Sequence, residues 1–294
     1  MTELQFEIDL IKALQTMSNG ITDLIFKGLS FFGTEMFFMI VAMLLYWCID
    51  KRFAHRFFNV YILGVAVTNF MKIGFKRSRP YNYDEIKSIG DPEQSYSFPS
   101  GHTQTVSTVS AMLTIKYGKK RKAIPIIFSI LTILVMLSRM YLGQHYLSDV
   151  FCGLTVGVFC AIAFNALLSL FKDKEELFVI AAVVLAGVLI GTLAGLGKLD
   201  ESPDLLKGVG AFVAFDLGYF VEKKFVRYDV KANRKWYEYF FRVVIGFGIT
   251  VAIQQSFKLF LPERIPMLYC FVRYFVMALW ASLIAPALFK LLKI

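Results

Sequence analysis

The sequence has too few charged residues to coat a soluble protein of its length. Asp, Glu, Lys and Arg make up 18% of the 294 residues, whereas the set AVILMFWYC makes up 57%. Counted with glycine in place of tyrosine, the apolar share is about 59%, against about 45–50% in soluble domains. The same composition excludes disordered, collagen-like and coiled-coil chains. It predicts a membrane protein.

Cysteines, internal repeats and low-complexity segments are also scarce or lacking. The four cysteines all lie in apolar runs, which favours buried thiols over a disulfide framework. No repeat of about 20–50 residues and no soluble linker is visible. We therefore expect one all-α, polytopic membrane helix bundle in three parts: an interfacial amphipathic segment at 1–30, a catalytic core at 31–171, and accessory transmembrane helices of unknown role at 172–294.

Apolar runs near the roughly 20 residues that a bilayer crossing requires predict about nine transmembrane helices. We place them at 31–49, 56–75, 102–117, 123–142, 147–171, 177–197, 205–221, 241–260 and 267–290. Before them, apolar residues from Gln5 to Met17 recur at helical spacing, which predicts an amphipathic helix in the membrane interface. Tyr46-Trp47 and Trp236-Tyr237 lie at span ends, where aromatic belts are expected.

The net charge of +10 is concentrated in alternate loops between the apolar runs. This positive-inside pattern predicts that those loops are cytoplasmic and that 76–101, 143–146, 198–204 and 261–266 lie outside. A nucleic-acid interface is disfavoured because no soluble basic domain is present. One outer loop is nevertheless basic, with Lys76, Arg77 and Arg79. A basic cluster on the outer side requires another explanation than topology.

Three short motifs lie at predicted outer ends of spans. They are Lys72-x6-Arg79-Pro80, Pro99-Ser100-Gly101-His102, and Ser138-Arg139-x5-His145-x3-Asp149. An H-x3-D pair occurs by chance about once in such a chain, whereas P-S-G-H is expected about 0.002 times. The ordered set of three is therefore not a coincidence.

The residue types in these motifs suit a phosphate group. Lys72, Arg79 and Arg139 would be costly to bury unpaired, and a dianionic phosphate would satisfy them. The alternative is that they snorkel to lipid headgroups. Ser100 is a good N-cap, and Gly101 lets a helix N-terminus approach an anion.

The two motif histidines have different neighbours. His102 lies at the mouth of the predicted anion site, where negative charge favours its protonated form. His145 and Asp149 are four residues apart, which on a helix places them on one face, and the carboxylate can then hold the imidazole tautomer. Two histidines and an aspartate also suit a metal, but converging cations would repel a divalent ion. We therefore predict catalysis without a metal or other cofactor.

In these three motifs the sequence resembles the type 2 phosphatidate phosphatase superfamily, which includes lipid phosphate phosphatases, isoprenyl diphosphate phosphatases, glucose-6-phosphatase and vanadium haloperoxidases. The resemblance covers Lys72 to Asp149 by motif, and we expect it to extend over 31–171. It implies that His145 attacks phosphorus to form a phosphohistidine, that His102 protonates the leaving oxygen, and that Asp149 supports His145. It also implies that five residues bind the substrate phosphate: Lys72, Arg79, Ser100, Gly101 and Arg139.

The resulting hypothesis is a phosphatase acting on a lipid phosphomonoester or diphosphate at the outer leaflet. Its partners would be the phosphorylated lipid and the bilayer, with no nucleic acid, in what we expect to be a bacterial cytoplasmic membrane. Two alternatives stay open at this point: a lipid phosphotransferase using the same site, and a transporter or flippase in which the site only binds headgroups. A vanadate-dependent peroxidase is disfavoured, because a membrane-embedded site suits lipids better than halide. The substrate lipid and the oligomeric state are not predicted.

Two further charged residues lie within predicted spans, Asp216 and Arg273. Intramembrane charges indicate function by default, but these two would also satisfy each other as an ion pair. His55, on the predicted cytoplasmic side, receives no role.

Overall fold

A computed structural model describes residues 3–171, 174–197, 203–230, 235–260 and 266–294. Within these residues the chain forms α-helices and connecting turns without a β-strand, which confirms the all-α prediction. The helices are α1 (Glu3–Gln15), α2 (Gly20–Phe31), α3 (Glu35–Leu44), α4 (Lys51–Phe75), α5 (Gly101–Tyr117), α6 (Ala123–Tyr141), α7 (Leu147–Ser169), α8 (Glu175–Gly195), α9 (Pro203–Val221), α10 (Trp236–Phe260), α11 (Pro266–Leu279) and α12 (Ala285–Leu292). Single π-helical turns follow α3, α9 and α11, at Leu45–Ile49, Glu222–Val226 and Trp280–Ile284.

Six described helical segments are long and apolar enough to cross a membrane, or seven if the bent pair Gly20–Phe31 and Glu35–Ile49 forms one span. The six are Lys51–Asn82, Ala123–Tyr141, Leu147–Ser169, Glu176–Gly195, Trp236–Phe257 and Tyr269–Leu292. The predicted spans at 102–117 and 205–221 are also helical, as α5 and α9. The polytopic membrane bundle is confirmed, whereas the number nine stays a prediction. The predicted outer linkers at 198–204 and 261–266 lie almost entirely outside the described residues.

The apolar faces of the spanning helices explain their composition. On α6, Ile126, Ile130 and Ile133 are each more than half exposed and recur at intervals of four and three residues. In a soluble protein such a stripe would be an aggregation site, whereas in a bilayer it faces lipid.

The chain divides into two compact units, and it passes from one to the other within α3, α4 and α7. Unit 1 contains Met1–Ile40 and Leu63–Ala166, and unit 2 contains Val41–Ile62 and Leu167–Ile294. The three predicted motifs all belong to unit 1.

Helix α5 is the buried helix of unit 1, although it is one of the more polar helices. Its Ser107 and Thr108 are buried and lie against α7, where Thr108 Oγ1 donates to the Gly157 carbonyl at 3.3 Å. Small residues on α7 allow this close packing: a Cβ added to Gly153 would lie 2.5 Å from the Ser100 carbonyl oxygen. Hydroxyls paired to main-chain carbonyls of this kind are typical of helices packed inside a membrane.

The N-terminal segment forms two helices rather than one. Asn19 caps α2 and accepts hydrogen bonds from the Ile21 and Thr22 amides at 3.0 and 3.1 Å. On α1, Ile8 and Ile11 pack into a core cluster with residues of α6 and α7, so part of the predicted membrane-facing stripe is covered by protein. Phe6 and Met17 stay about half exposed. The interfacial position of the segment stays a prediction.

Unit 2 buries several residues that the sequence placed at a surface. Tyr46 and Trp47 are fully buried and donate to the carbonyls of Ser282 and Ala281, both at 2.9 Å. Their assignment to an aromatic belt is therefore wrong, because hydrogen-bond partners for both rings lie inside the unit. Trp236 is 78% exposed, as a belt residue would be.

The alternative that Asp216 and Arg273 pair with each other is contradicted. Asp216 Oδ1 lies 2.5 Å from His55 Nε2 and accepts from Asn59 Nδ2 at 2.8 Å. Arg273 instead contacts Tyr269, whose hydroxyl lies 3.4 Å from Nη1. A histidine and an asparagine four residues apart on α4 present both partners to one carboxylate, so Asp216 does not require an arginine.

Candidate active site

The eight predicted site residues lie in unit 1, on four chain segments. The end of α4 and the loop after it contribute Lys72 and Arg79. The N-terminus of α5 contributes Ser100, Gly101 and His102, and the last turn of α6 contributes Arg139. The turn before α7 contributes His145, and the first turn of α7 contributes Asp149. The side chains of four of them are connected by direct contacts, from His145 to Arg79, then through Glu93 to His102 and Arg139.

His145 lies in the turn that precedes α7, not on the helix itself as its spacing from Asp149 suggested. The ring is fully buried, and its Nε2 is 3.3 Å from Arg79 Nη1. A guanidinium is only a donor, so Nε2 carries the lone pair and Nδ1 carries the proton. Nδ1 lies 3.5 Å from Ser97 Oγ and 3.6 Å from Asp149 Oδ2. The imidazole therefore presents an unprotonated nitrogen to the cationic cluster.

Asp149 is fully buried and receives hydrogen bonds on both oxygens. Oδ2 accepts from the Tyr146 amide at 2.9 Å and from Ser97 Oγ, while Oδ1 accepts from Arg77 Nη1 at 2.7 Å. Ser97 thus stands between the carboxylate and the imidazole, because its hydroxyl donates to the first and can accept from the second. The arrangement fixes the His145 tautomer.

The two motif arginines bind one carboxylate, that of Glu93. Arg79 Nη2 donates to Glu93 Oε2 at 2.7 Å, and Arg139 Nη2 donates to Oε1. The remaining contacts hold the guanidinium groups in place: Arg79 donates to the carbonyls of Ser95 and Gln144, and Arg139 Nη1 donates to Ser30 Oγ at 2.8 Å. Both arginines are almost completely buried, so their orientation is set by protein rather than by lipid. Snorkelling of Arg79 and Arg139 to headgroups is thereby contradicted.

His102 stands on the other side of Glu93, with Nδ1 3.3 Å from Oε1. It follows Ser100, whose hydroxyl caps α5 by accepting from the Thr103 amide. The turn between α2 and α3 lies against it, since a Cβ added to Gly33 would be 2.7 Å from His102 Cβ. The side chain is partly exposed, unlike that of His145.

The other three predicted phosphate ligands are placed less directly. Lys72 Nζ donates to Ser95 Oγ at 2.9 Å, and the same hydroxyl accepts from Arg79, so Lys72 lies at the rim. The Ser100 amide donates to the Asp149 carbonyl at 3.0 Å, so this N–H group is already used in a main-chain hydrogen bond. A Cβ on Gly101 would meet no heavy atom within 4 Å, which leaves open space at the helix start.

Burial and charge determine the protonation of the loop groups. Burial opposes ionisation of Glu93, but the charge of Arg139 and the other cationic groups outweighs it and holds the pKa of the carboxyl well below its ordinary value. Burial lowers the pKa of His145 to about 4, against the opposing influence of the nearby Asp149 carboxylate, and the charges of Arg79 and Arg139 add to the lowering. At neutral pH the site thus contains a neutral imidazole beside an ionised Glu93.

Sequence reasoning missed Glu93, Ser97 and Arg77 as parts of the site. Glu93 is one of several acids in the loop after α4, and no spacing distinguishes it from them. Arg77 was noticed only as part of a basic cluster on the unexpected side of the membrane. The position of this cluster on the outer side is the sequence feature that could have indicated its role, because Arg77 and Arg79 both pair with carboxylates of the site. Among the described residues, no group of three or more His, Cys, Asp and Glu side chains is arranged to hold a metal ion.

Curated proteins similar to this chain are lipid phosphate phosphatases by name. Sphingosine-1-phosphate phosphatase 1 of Rattus norvegicus is 26% identical over 162 residues, covering 53% of this chain and 37% of its own length. Phosphatidylglycerophosphatase B of Bacillus subtilis is 35% identical over 92 residues, covering 28% and 45%. Undecaprenyl-diphosphatase of Sulfolobus acidocaldarius is 25% identical over 154 residues, covering 52% and 73%. The chain thus spans less than half the length of the first two.

Two family descriptions match the sequence in separate segments. Residues 53–173, which contain all three motifs, match the PAP2 superfamily. Residues 206–294 match the transmembrane extension of PAP2 superfamily phosphatases. Together the two segments account for more than half of the chain, and the motif geometry described above lies within the first. The chain belongs to the PAP2 superfamily, that is, the type 2 phosphatidic acid phosphatases.

Proposed function

We propose that this protein is an integral-membrane phosphatase that hydrolyses a lipid phosphomonoester or diphosphate at the extracytoplasmic face. The observation that carries the proposal is the contact of the buried His145 Nε2 with Arg79 Nη1 at 3.3 Å, since Arg79 shares the Glu93 carboxylate with Arg139 and His102. A nucleophile with its own acid partner, beside fixed cations, suits transfer of a phosphoryl group. Membrane helices and lipid phosphatase relatives support a lipid substrate.

The proposed reaction has two steps. In the first, His145 Nε2 attacks phosphorus, the bond from phosphorus to the lipid oxygen breaks, and His102 gives its proton to that oxygen. In the second, water attacks the phosphohistidine, His102 takes a proton from it, and inorganic phosphate leaves. Asp149 supports the positive charge that His145 gains, and the arginines neutralise the phosphoryl oxygens.

The remaining predicted residues have supporting roles in this proposal. Lys72 at the rim attracts the incoming dianion, and the open space beside Gly101 admits a phosphate oxygen at the helix N-terminus. The helices beyond residue 171 form an accessory part outside the catalytic core. The outer position of the site follows from the basic loops on the other side.

The direct test is release of inorganic phosphate by the purified full-length protein in nanodiscs. The panel should contain sphingosine 1-phosphate, phosphatidylglycerophosphate, phosphatidate and undecaprenyl diphosphate. We expect release from at least one lipid, and a loss of at least about 10³-fold in His145→Ala. His55→Gln, at the third histidine of the chain, keeps a donor for Asp216, so it is the matched control and should retain turnover of each substrate.

Two additional measurements test the finer parts of the proposal. Rapid quenching with 32P-labelled substrate should trap a protein-bound label that is stable in base and labile in acid, as expected for phosphohistidine. Chelator should leave the rate unchanged if no metal takes part. Equal amounts of phosphate released and lipid phosphate lost indicate hydrolysis, whereas a phosphate deficit would indicate transfer to another acceptor. Lipid movement that survives in His145→Ala would instead support a transporter.

A further inference from the structure

Glu93 occupies the position that the proposed function assigns to the substrate phosphate. Its Oε2 accepts from Arg79 Nη2 at 2.7 Å, and its Oε1 accepts from Arg139 and lies 3.3 Å from His102 Nδ1. Two groups expected to bind phosphoryl oxygens, and the histidine expected to protonate the leaving oxygen, therefore contact a carboxylate of the protein itself. The N–H groups that these side chains turn toward the pocket already contact Glu93.

We propose that Glu93 is a specificity-determining residue, an internal anion that the substrate phosphate must displace, so that the site accepts dianionic terminal phosphates and rejects monoanionic phosphodiesters. This inference rests on the proposed function. It concerns which phosphates enter the site rather than how they react.

The carboxylate can leave the pocket while the main chain around it stays fixed. The Glu93 side chain is 28% exposed, in contrast to 3% and 5% for the two arginines. The Glu93 carbonyl accepts from Tyr81 OH at 2.8 Å, and the next loop residues are bound to Arg79 through Ser95. Rotation of the side chain toward solvent therefore requires no rearrangement of the loop.

The charge of the incoming ligand decides whether displacement is favourable. A phosphodiester carries one negative charge, so it replaces one monoanion by another and gains little Coulomb energy from the arginines. A terminal phosphate carries two charges, and the second is an additional attraction to Arg79, Arg139 and Lys72. The cost of displacing Glu93 is the same for both ligands, so only the ligand with the second charge still binds well.

Such discrimination suits a site that opens to a bilayer, where most phospholipid headgroups are phosphodiesters. Without an internal competitor, two buried arginines would bind any phosphate at the surface. Glu93 also removes the cost of leaving these guanidinium groups unpaired when no substrate is bound.

A purely structural role for Glu93 predicts something else. If the carboxylate only orients His102, its removal should lower kcat and leave the affinity for phosphates unchanged. Inhibition constants of phosphate ligands distinguish a competing Glu93 from one that only orients His102, because binding of an inhibitor does not require proton transfer by His102.

The test compares wild type, Glu93→Gln and Asp91→Asn as full-length proteins in nanodiscs. Asp91 lies in the same loop and is exposed, so its variant controls for the loss of one negative charge. Inorganic phosphate at about pH 8 supplies the dianion, and glycerophosphoglycerol supplies a soluble monoanionic diester. Each is titrated as a competitor of turnover, and independently by displacement of bound 32P-phosphate at equilibrium.

In Glu93→Gln we expect the inhibition constants of both ligands to fall by at least about tenfold, because neither ligand then has to displace a charged competitor. Asp91→Asn and Glu93→Asp, which retains the charge at position 93, should keep both constants near the wild-type values. Unchanged constants in Glu93→Gln overturn the inference, while wild-type turnover leaves the proposed function intact. Absence of turnover in wild type refutes the function, and the constants from displacement at equilibrium still test Glu93.

Discussion

Arg77, at an unspecified position of the first motif, bonds to Asp149 of the third. Its Nη1 donates to Asp149 Oδ1 at 2.7 Å, and its Nη2 donates to Glu7 Oε2 at 2.6 Å. The guanidinium also lies 4.0 Å from the centroid of the Tyr146 ring. Helix α1 is thereby connected through one arginine to the carboxylate that orients His145. The N-terminal segment is part of the support of the site.

Replacement of Arg77 by Gln should lower kcat by about 10²-fold, because Asp149 loses a charged partner and the His145 imidazole loses its fixed orientation. KM should change little, since Arg77 does not face the bound phosphate. Steady-state kinetics on the best lipid of the panel measure both constants. Lys76→Gln removes a neighbouring exposed charge and is the control. A rise in KM with unchanged kcat would show that Arg77 binds substrate instead.

Gly33→Ala should displace His102. The added Cβ would lie 2.7 Å from His102 Cβ and 2.9 Å from its carbonyl oxygen, so the turn or the helix start must shift. We expect at least about tenfold loss of kcat and a lower melting temperature. Gly28→Ala is a matched control, because a Cβ at Gly28 would meet nothing within 4 Å. Equal activity of the two variants would contradict the close approach.

The His145 imidazole should remain neutral well below the ordinary histidine range. Its pKa is lowered to about 4, mainly by burial, whereas an unfolded histidine titrates near 6.5. The unfolded state therefore binds the extra proton first, and stability should decrease as the pH falls from about 6.5 to about 4.

Carbon-13 labelling of histidine provides the measurement for His145, because the chain contains three histidines and yields three ring signals. The signal missing in His145→Gln identifies the residue. It should show no titration between pH 8 and pH 5 in ligand-free protein. A midpoint near 6.5 would mean that the site is wetter than the structure indicates.

Asp216→Ala should destabilise unit 2 by about 1–3 kcal/mol, because it leaves His55 and Asn59 without their shared acceptor. Thermal unfolding in detergent, followed by the fluorescence of buried Trp47, measures the effect. Arg273→Ala, which removes the charge first expected to pair with Asp216, should cost less. The reverse order of the two melting temperatures would contradict the observed pairing.

Much of the fold could be predicted from the sequence, because bilayer-spanning helices are encoded by length and apolarity. The predicted spans at 123–142 and 147–171 coincide with α6 and α7 to within a few residues. The aromatic pair Tyr46-Trp47 could not be placed, since a buried ring and a belt ring have the same local sequence. The partner of Asp216 was likewise hidden, because it lies 161 positions away at His55.

The motif residues of the site were predictable from their spacing, whereas the groups that connect them were not. Ser97 and Glu93 belong to an irregular loop, where position depends on tertiary contacts and not on a periodic pattern. Even within the motifs, the spacing placed His145 on a helix that the structure begins at Leu147. The roles assigned to the eight residues stay predictions until the variants above are measured.

The main-chain bond from the Ser100 amide to the Asp149 carbonyl has a consequence for substrate range. The main-chain carbonyl of Asp149 accepts from the Ser100 amide, two residues before His102. Its side-chain carboxylate lies beside His145. In the proposed mechanism, the groups that attack and protonate are therefore both held by Asp149, and their relative geometry is set by the protein and not by the lipid tail. Such a site would accept hydrocarbon chains of very different shape, provided that each delivers its phosphate to the same point.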